Sequence, residues 1–335
     1  MMHYPKTEAE WLKLRHSCIS STESAALMGL GSYQTPYEIG IEKQAPEPPA
    51  PIEQTDRIRW GKRLQETIAK GISDDYGVKV RRVTGYAMRE DCKLGASFDY
   101  EIVGIKLNED GTEMLPADIT LQMLYRDLGP GVLEIKNVDR YIFRQQWKKD
   151  EETSELEAPP QFEIQVQHQL EAIGTRKWAA IGVLIGGNET MVVIREYDPE
   201  FGTQIRATVD KFWADLAKGV LPPVTLPADI EILRRIYLAS TPGKLFNGQD
   251  NEALGKLCDE YNSVKDLAKE YEESRKSVGV RILQMIGDCE LATAPGYKIT
   301  ANTVASTIVE RYERKAFRSM RITKIKTAAA AQGTK

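Results

Sequence analysis

Histidine and cysteine are scarce in this chain, and neither is spaced to hold a metal. His3, His16 and His168 form no ligand pattern, and Cys18, Cys92, Cys258 and Cys289 include no CxxC pair. A zinc site and a disulfide framework are therefore excluded as organising features, and a reduced cytoplasmic compartment is the natural expectation. Long apolar runs are missing too: none approaches a membrane span, and the opening "MMHYPKTEAEWLKLRH" lacks the apolar centre of a signal peptide. "GLG" and "IGGN" lack the context of a phosphate loop, and no internal repeat is visible. What is present is an ordinary globular composition: 335 residues, 41% hydrophobic and 28% charged. That length accommodates one large domain or two.

The net charge is only -4, but its distribution is uneven. Basic residues bunch at "RIRWGKR" (57–63), "KVRR" (79–82) and "RYERKAFRSMRITKIK" (311–326), while acid bunches at "DEETSELE" (150–157). Local basic patches, more than the sum, decide whether a polyanion is a plausible partner.

The sequence predicts a mixed α/β domain over residues 1–224 and a mainly helical region over 225–335. Two short helices open the chain, the second capped within Ser20–Thr22. A proline-rich stretch, 44–52, reads as an irregular connection. "DRIRWGKRLQETIAKGISDDYG" reads as a helix ending near Gly77, followed by strand-like segments through "LGASFDYEIVGIKL" and "GVLEIKNV". An insertion at 106–130 is expected to form a protruding hairpin or loop. "APPQFEIQVQHQLEAIG" enters a helix through prolines and leaves it at Gly174, and a hairpin about "GGN" precedes a closing helix. Beyond the linker "LPPVTLPAD", apolar spacing of three and four from Leu254 predicts a long amphipathic helix, broken near 275, half of a helical hairpin or short coiled coil. A small β-hairpin and a basic tail follow.

"GVLEIKNV" (131–138) carries the chemical question. Alternation on a strand puts Leu133 and Ile135 on one face and Glu134 and Lys136 on the other. An inner strand tolerates such charges only if something consumes them. Asp99, at the end of a neighbouring strand, supplies a second carboxylate. Two carboxylates brought together repel each other, and a hard divalent cation with oxygen ligands relieves that repulsion. Mg²⁺ suits one or two carboxylates plus a substrate phosphate, and Lys136 is placed to offset phosphoryl charge.

The D…ExK order resembles the PD-(D/E)XK nuclease superfamily. Further segments narrow the resemblance: "WLKLRHSCISSTESAALMG" (11–29), "WGKRLQE" (60–66), "GASFD" (95–99) and "QVQHQL" (165–170) resemble, in order and rough spacing, the motifs of the phage lambda exonuclease and YqaJ-like viral recombinase family. The resemblance implies a restriction-endonuclease-like core with a mixed central sheet flanked by helices. It makes Asp99 and Glu134 metal ligands with the backbone carbonyl of Ile135, Lys136 the catalytic lysine, and Gln165 a residue bracketing the site. It places Arg15, Thr22 and Ser97 in a pocket for a 5′-phosphate, which suits a guanidinium beside a helix N-terminus. The family's helix acid falls at Gln65 here, with Glu66 next; Glu66 is favoured slightly, and either can fill the role. Phe98 replaces the family's proline, and the Asp99–Glu134 spacing exceeds that of the lambda enzyme. His168 either packs or contacts DNA.

The activity implied is a Mg²⁺-dependent 5′→3′ exonuclease, Mn²⁺ substituting and two ions per site, acting on double-stranded DNA ends. Its product would be a 3′ single-stranded tail for a single-strand annealing protein. A ring-shaped homotrimer and a phage or prophage origin in the bacterial cytoplasm are also implied. The basic tail, with Arg314, Lys315, Arg318 and Arg321, would contact DNA, dock a neighbouring subunit or partner, or pack on the domain. Two alternatives stand beside this reading: a restriction-like or structure-specific endonuclease, and a catalytically decayed DNA-end-binding protein.

Overall fold

The computed structural model describes residues 1–31, 34–51, 54–149, 156–237 and 239–303. In chain order the first elements are β1 (Met2–His3), α1 (Glu8–His16), β2 (Ile19–Ser20), α2 (Ser21–Leu27), α3 (Pro36–Gln44), α4 (Asp56–Asp75), β3 (Val78–Arg82), β4 (Tyr86–Arg89), β5 (Leu94–Ser97) and β6 (Tyr100–Ile105). Then come α5 (Thr120–Leu128), β7 (Gly131–Val138), α6 (Arg140–Gln146), β8 (Lys148–Lys149), β9 (Leu156–Glu157), α7 (Pro160–Ile173), β10 (Trp178–Ile185), β11 (Glu189–Glu196), α8 (Pro199–Ala217), α9 (Ile230–Ile236), α10 (Glu252–Ile286), β12 (Leu291–Ala294) and β13 (Tyr297–Thr300). The chain divides into two compact units, Met1–Glu231 and Ile232–Lys335.

The first unit is built on a mixed sheet in the order β11-β10-β7-β6-β3. β3, β6 and β7 run antiparallel in succession, and β10 lies parallel to β7 after the crossover through α7. β7 is covered on both faces. Leu133 and Ile135 pack with Ile68 and Ile72 of α4, while Val132 and Val138 join the core containing Val166 and Leu170 of α7. The expected alternation across "GVLEIKNV" is thus realised, with Glu134 turned toward α7. A smaller sheet, β1-β4-β5-β2, sits beside this core and leads from β5 into β6. Gly95 in β5 has no side chain because Cys18 and Tyr86 fill that space. This mixed sheet flanked by helices is the expected mixed α/β arrangement.

Three expectations need correction. The insertion at 106–130 protrudes as a turn only through its first half; α5 occupies the second, and Leu121 is fully buried against the α4 core. The spacing of Leu121, Leu124, Tyr125 and Leu128 is helical, and Asp118 Oδ1 accepts from Thr120 N at the helix entry. Residues 36–44, left without an element by the sequence reading, form α3. Thr35 accepts from Glu38 N, and Pro36 opens the first turn. Finally, α10 runs unbroken through 275 for 35 residues. Its hairpin or coiled-coil partner is not among the described residues, and neither is the basic segment with Arg314, Lys315, Arg318 and Arg321. Among the described residues, no helix is long and apolar enough to cross a membrane.

Candidate active site

Asp99 occupies the short link between β5 and β6, where the chain passes from the small sheet to the central one. Its Oδ2 accepts from Ile135 N of β7 at 2.9 Å, and its Oδ1 accepts from Gln65 Nε2 of α4 at 2.9 Å. Burial and the neighbouring Glu134 carboxylate push the Asp99 carboxyl up to about 7, against the lowering effect of Ile135 N–H, Lys136 and Gln65. The Glu134 carboxylate is thus held close enough to oppose ionisation of Asp99.

Glu134 is buried beneath α7 and engaged on both oxygens. Oε1 accepts from Lys136 Nζ at 2.7 Å and from Gln165 Nε2 at 2.6 Å; Oε2 accepts from Gln169 Nε2 at 2.8 Å. Lys136 Nζ also donates to Gln165 Oε1 at 3.0 Å and lies 4.6 Å from the centre of the Phe162 ring. The ammonium is therefore fixed between a carboxylate, an amide and an aromatic face. The strand and one helix do all of this: Glu134 and Lys136 share a face of β7, and Gln165 and Gln169, one turn apart, share a face of α7.

The expected phosphate-pocket residues also converge. Arg15 Nη2 donates to Thr22 Oγ1 at 3.3 Å, and its guanidinium lies 5.4 Å from the Trp11 ring centre. Trp11 Nε1 donates to Ser97 Oγ at 3.0 Å, bringing Ser97 to the group. Below them, buried Glu23 closes a capping box on Ser20 N and pairs with Lys43 at 3.1 Å. Burial opposes ionisation of Glu23, but Lys43, Arg15 and the Ser20 N–H hold its carboxyl below the usual range. Ser97 joins the two clusters, because its carbonyl accepts from the same Gln169 Nε2 that bonds Glu134.

Of the paired alternatives on α4, Gln65 reaches Asp99 while Glu66 is exposed and shares no hydrogen bond with the cluster. Gln65 continues the inward stripe of Ile68, Ala69 and Ile72. His168 is fully buried, with Nδ1 2.7 Å from Ser24 Oγ and Nε2 3.1 Å from Gly95 O. A carbonyl only accepts, so Nε2 carries the proton and Nδ1 accepts from Ser24. Burial lowers the His168 pKa to about 4. It is a neutral packing residue, which decides between the two expected roles and removes DNA contact.

Residues 10–176 match the model of the YqaJ-like viral recombinase domain. Over that span the chain carries a YqaJ-like viral recombinase domain. A protein of Bacillus subtilis (strain 168) described as uncharacterized protein YqaJ is 24% identical over 305 residues, 90% of this chain and 85% of its own length. Among solved structures, an alkaline exonuclease from Laribacter hongkongensis is similar with a TM-score of 0.42 at 17% identity, covering 68% of this chain and 96% of that one. Its complex with dAMP gives the same values.

The YqaJ-like span contains every residue of both clusters. It also contains residues the sequence reading passed over. Gln169 follows Gln165 by one helical turn, a spacing that signals a shared face. Lys43 arrives on α3, and the Trp11–Ser97 bond spans 86 positions of chain; neither carries a local signal. Among the described residues, no group of three or more His, Cys, Asp or Glu side chains gathers to hold a metal. The cluster offers two carboxylates, with the Gln65 amide on Asp99.

Proposed function

We propose that this chain is a Mg²⁺-dependent nuclease of linear double-stranded DNA, removing one strand 5′→3′ and leaving a 3′ tail for a single-strand annealing protein. The observation carrying this reading is the junction at Ser97. A partly buried Asp99–Glu134–Lys136–Gln165 cluster lies one hydrogen-bonded residue away from an Arg15–Thr22 pair suited to a terminal phosphate.

The donor set fits a hard cation. Asp99 and Glu134 offer only oxygens, Ile135 N–H is bonded to Asp99 beside them, and the Asp99 carboxyl, raised by burial and then by the neighbouring Glu134 charge, would be relieved by a dication. One ion held by two carboxylates and water satisfies this set; a second ion, or Mn²⁺ in its place, would draw its remaining ligands from water and the DNA. When bound, Mg²⁺ supplies Lewis-acid charge at the scissile phosphate. The chain's own groups do the rest. Arg15 and Thr22 hold the terminal phosphate by charge-assisted hydrogen bonds, which fixes the next phosphodiester over the acids. Lys136, steadied by Gln165 and Phe162, presents its ammonium to the charge that develops on phosphoryl oxygen. Gln65 orients Asp99 without adding charge. A ring-shaped homotrimer in the bacterial cytoplasm, phage or prophage encoded, completes the reading.

The test compares linear and covalently closed circular duplex in Mg²⁺. Loss of the linear form with the circle intact is expected. Cutting of the circle favours the endonuclease alternative. End binding without any cutting favours a decayed end-binding protein, the reading that Gln65 on Asp99 would then support.

A further inference from the structure

A cavity of about 520 Å³ opens at the far end of α7, lined among others by Arg81, Arg82, Thr84, Glu101, Thr175 and Arg176. Its floor is Glu101, buried in β6 two residues after Asp99. Glu101 binds two guanidiniums: Arg81 Nη2 at 2.8 Å on one oxygen, and Arg176 Nε at 2.9 Å and Nη2 at 2.8 Å on the other. A carboxylate so placed acts as a template that fixes two arginines. Arg176 spends further donors on Thr175, whereas Arg81, with one nitrogen bonded among the described residues, has further N–H groups to offer at the cavity. The Arg82 side chain is exposed and makes no hydrogen bond or ion pair among the described residues. Three guanidiniums against one carboxylate leave the cavity strongly positive.

Its position relative to the acids is fixed by backbone. Val83 N, in the cavity wall, donates to Asp99 O at 3.1 Å, and Arg82 pairs across the sheet with Tyr100. Along α7, Ile173 at the cavity stands roughly 12 Å from Gln165 at about 1.5 Å of rise per residue. That span corresponds to about four nucleotides at about 3.4 Å each along a strand.

We infer that this cavity is a second phosphate site, gripping a backbone phosphate of the nucleic acid a few nucleotides from the scissile bond. The inference rests on the nuclease reading above and adds a contact that the two clusters there do not contain. A backbone phosphate in the cavity belongs either to the duplex or to the strand left single, and the two differ in the counterions they release: about 0.9 per contact for duplex and about 0.7 for single strand.

The experiment measures DNA affinity of the full chain against salt in EDTA, so that nothing is cut, with a 5′-phosphorylated blunt duplex and a single-stranded oligonucleotide. Arg82→Gln removes one charge at an exposed, unpaired side chain, and Thr84→Lys adds one. For Arg82→Gln we expect the slope of log affinity against log salt to shrink by about 0.9 on duplex, or by about 0.7 on single strand alone if the cavity holds the remaining strand. Thr84→Lys should steepen it by a similar amount, with thermal unfolding unchanged in both variants. Either variant leaving both slopes unchanged overturns the proposal. If the native protein cuts linear duplex and the slopes do not move, only the second phosphate site falls; if it neither binds nor cuts, the nuclease reading falls with it.

Discussion

Two buried carboxylates face the same helix layer and live under opposite conditions. Glu171, near the end of α7, is surrounded by Arg89, Arg206 and Tyr197, the Arg206 contact being 2.5 Å. Two arginines bind it, Arg89 being shared with the exposed Asp91. Glu134, on β7, has one lysine, two amides and a second acid at Asp99 as its surroundings. The first arrangement is closed: two guanidiniums meet one oxygen and the Tyr197 hydroxyl meets the other, and the product is a clamp between β4, α7 and α8. The second is open to a further positive charge. Burial alone therefore says little about function; the balance of charge around the buried group separates structural from chemical use.

Substitution at the two acids should break the pair apart. Glu134→Gln is expected to lower kcat by at least ~10²-fold while unfolding stays within about 1 kcal/mol of native, because amide partners tolerate a neutral oxygen. Glu171→Gln should do the reverse, losing on the order of 3 kcal/mol in denaturant unfolding, with activity per folded molecule kept. Equal effects of the two changes on either readout would erase the distinction.

His168, three residues before Glu171 on α7, sharpens the same contrast through pH. Its folded pKa of about 4 lies below the ordinary 6.5, so the unfolded chain binds more protons between those values. Stability should be complete above about 6.5 and fall as pH drops toward 4, by at most about 3 kcal/mol. His168→Gln should flatten that slope in unfolding curves; an unchanged slope would place the acid sensitivity elsewhere.

The smallest effect concerns α4. Gln65→Ala is expected to cost about 10-fold in kcat through a less well-oriented Asp99, whereas Glu66→Ala should change it less than about twofold. Steady-state kinetics of the two variants decides, and the opposite ranking would return Glu66 to the site.

Much of this was readable from residues. "GVLEIKNV" is β7 from its first residue to its last, and its alternation already separated Leu133 and Ile135 from Glu134 and Lys136. Gly174 closes α7 in the left-handed conformation that glycine permits (φ 63°). The choice between Gln65 and Glu66 was less accessible, since it depends on the rotation of α4 against β6 and β7. The inward stripe of Ile68, Ala69 and Ile72 was the available clue. Lys43 and the contact of Trp11 with Ser97 could not be foreseen, because each reaches its partner across tens of residues and on elements whose docking no local pattern encodes. The short apolar spacing of α5 was obscured by the polar turn that introduces it.

The central claim is that the cluster at Asp99, Glu134 and Lys136 cuts DNA from a 5′-phosphorylated end. The most direct test follows strand loss from a linear duplex carrying a 5′-phosphate at one end only, in Mg²⁺, with native protein, Lys136→Ala and an EDTA control. Progressive loss of the phosphorylated strand by the native protein alone, absent from both controls, is the result expected. Retained end binding with no strand loss, or equal loss with Lys136→Ala, would contradict it.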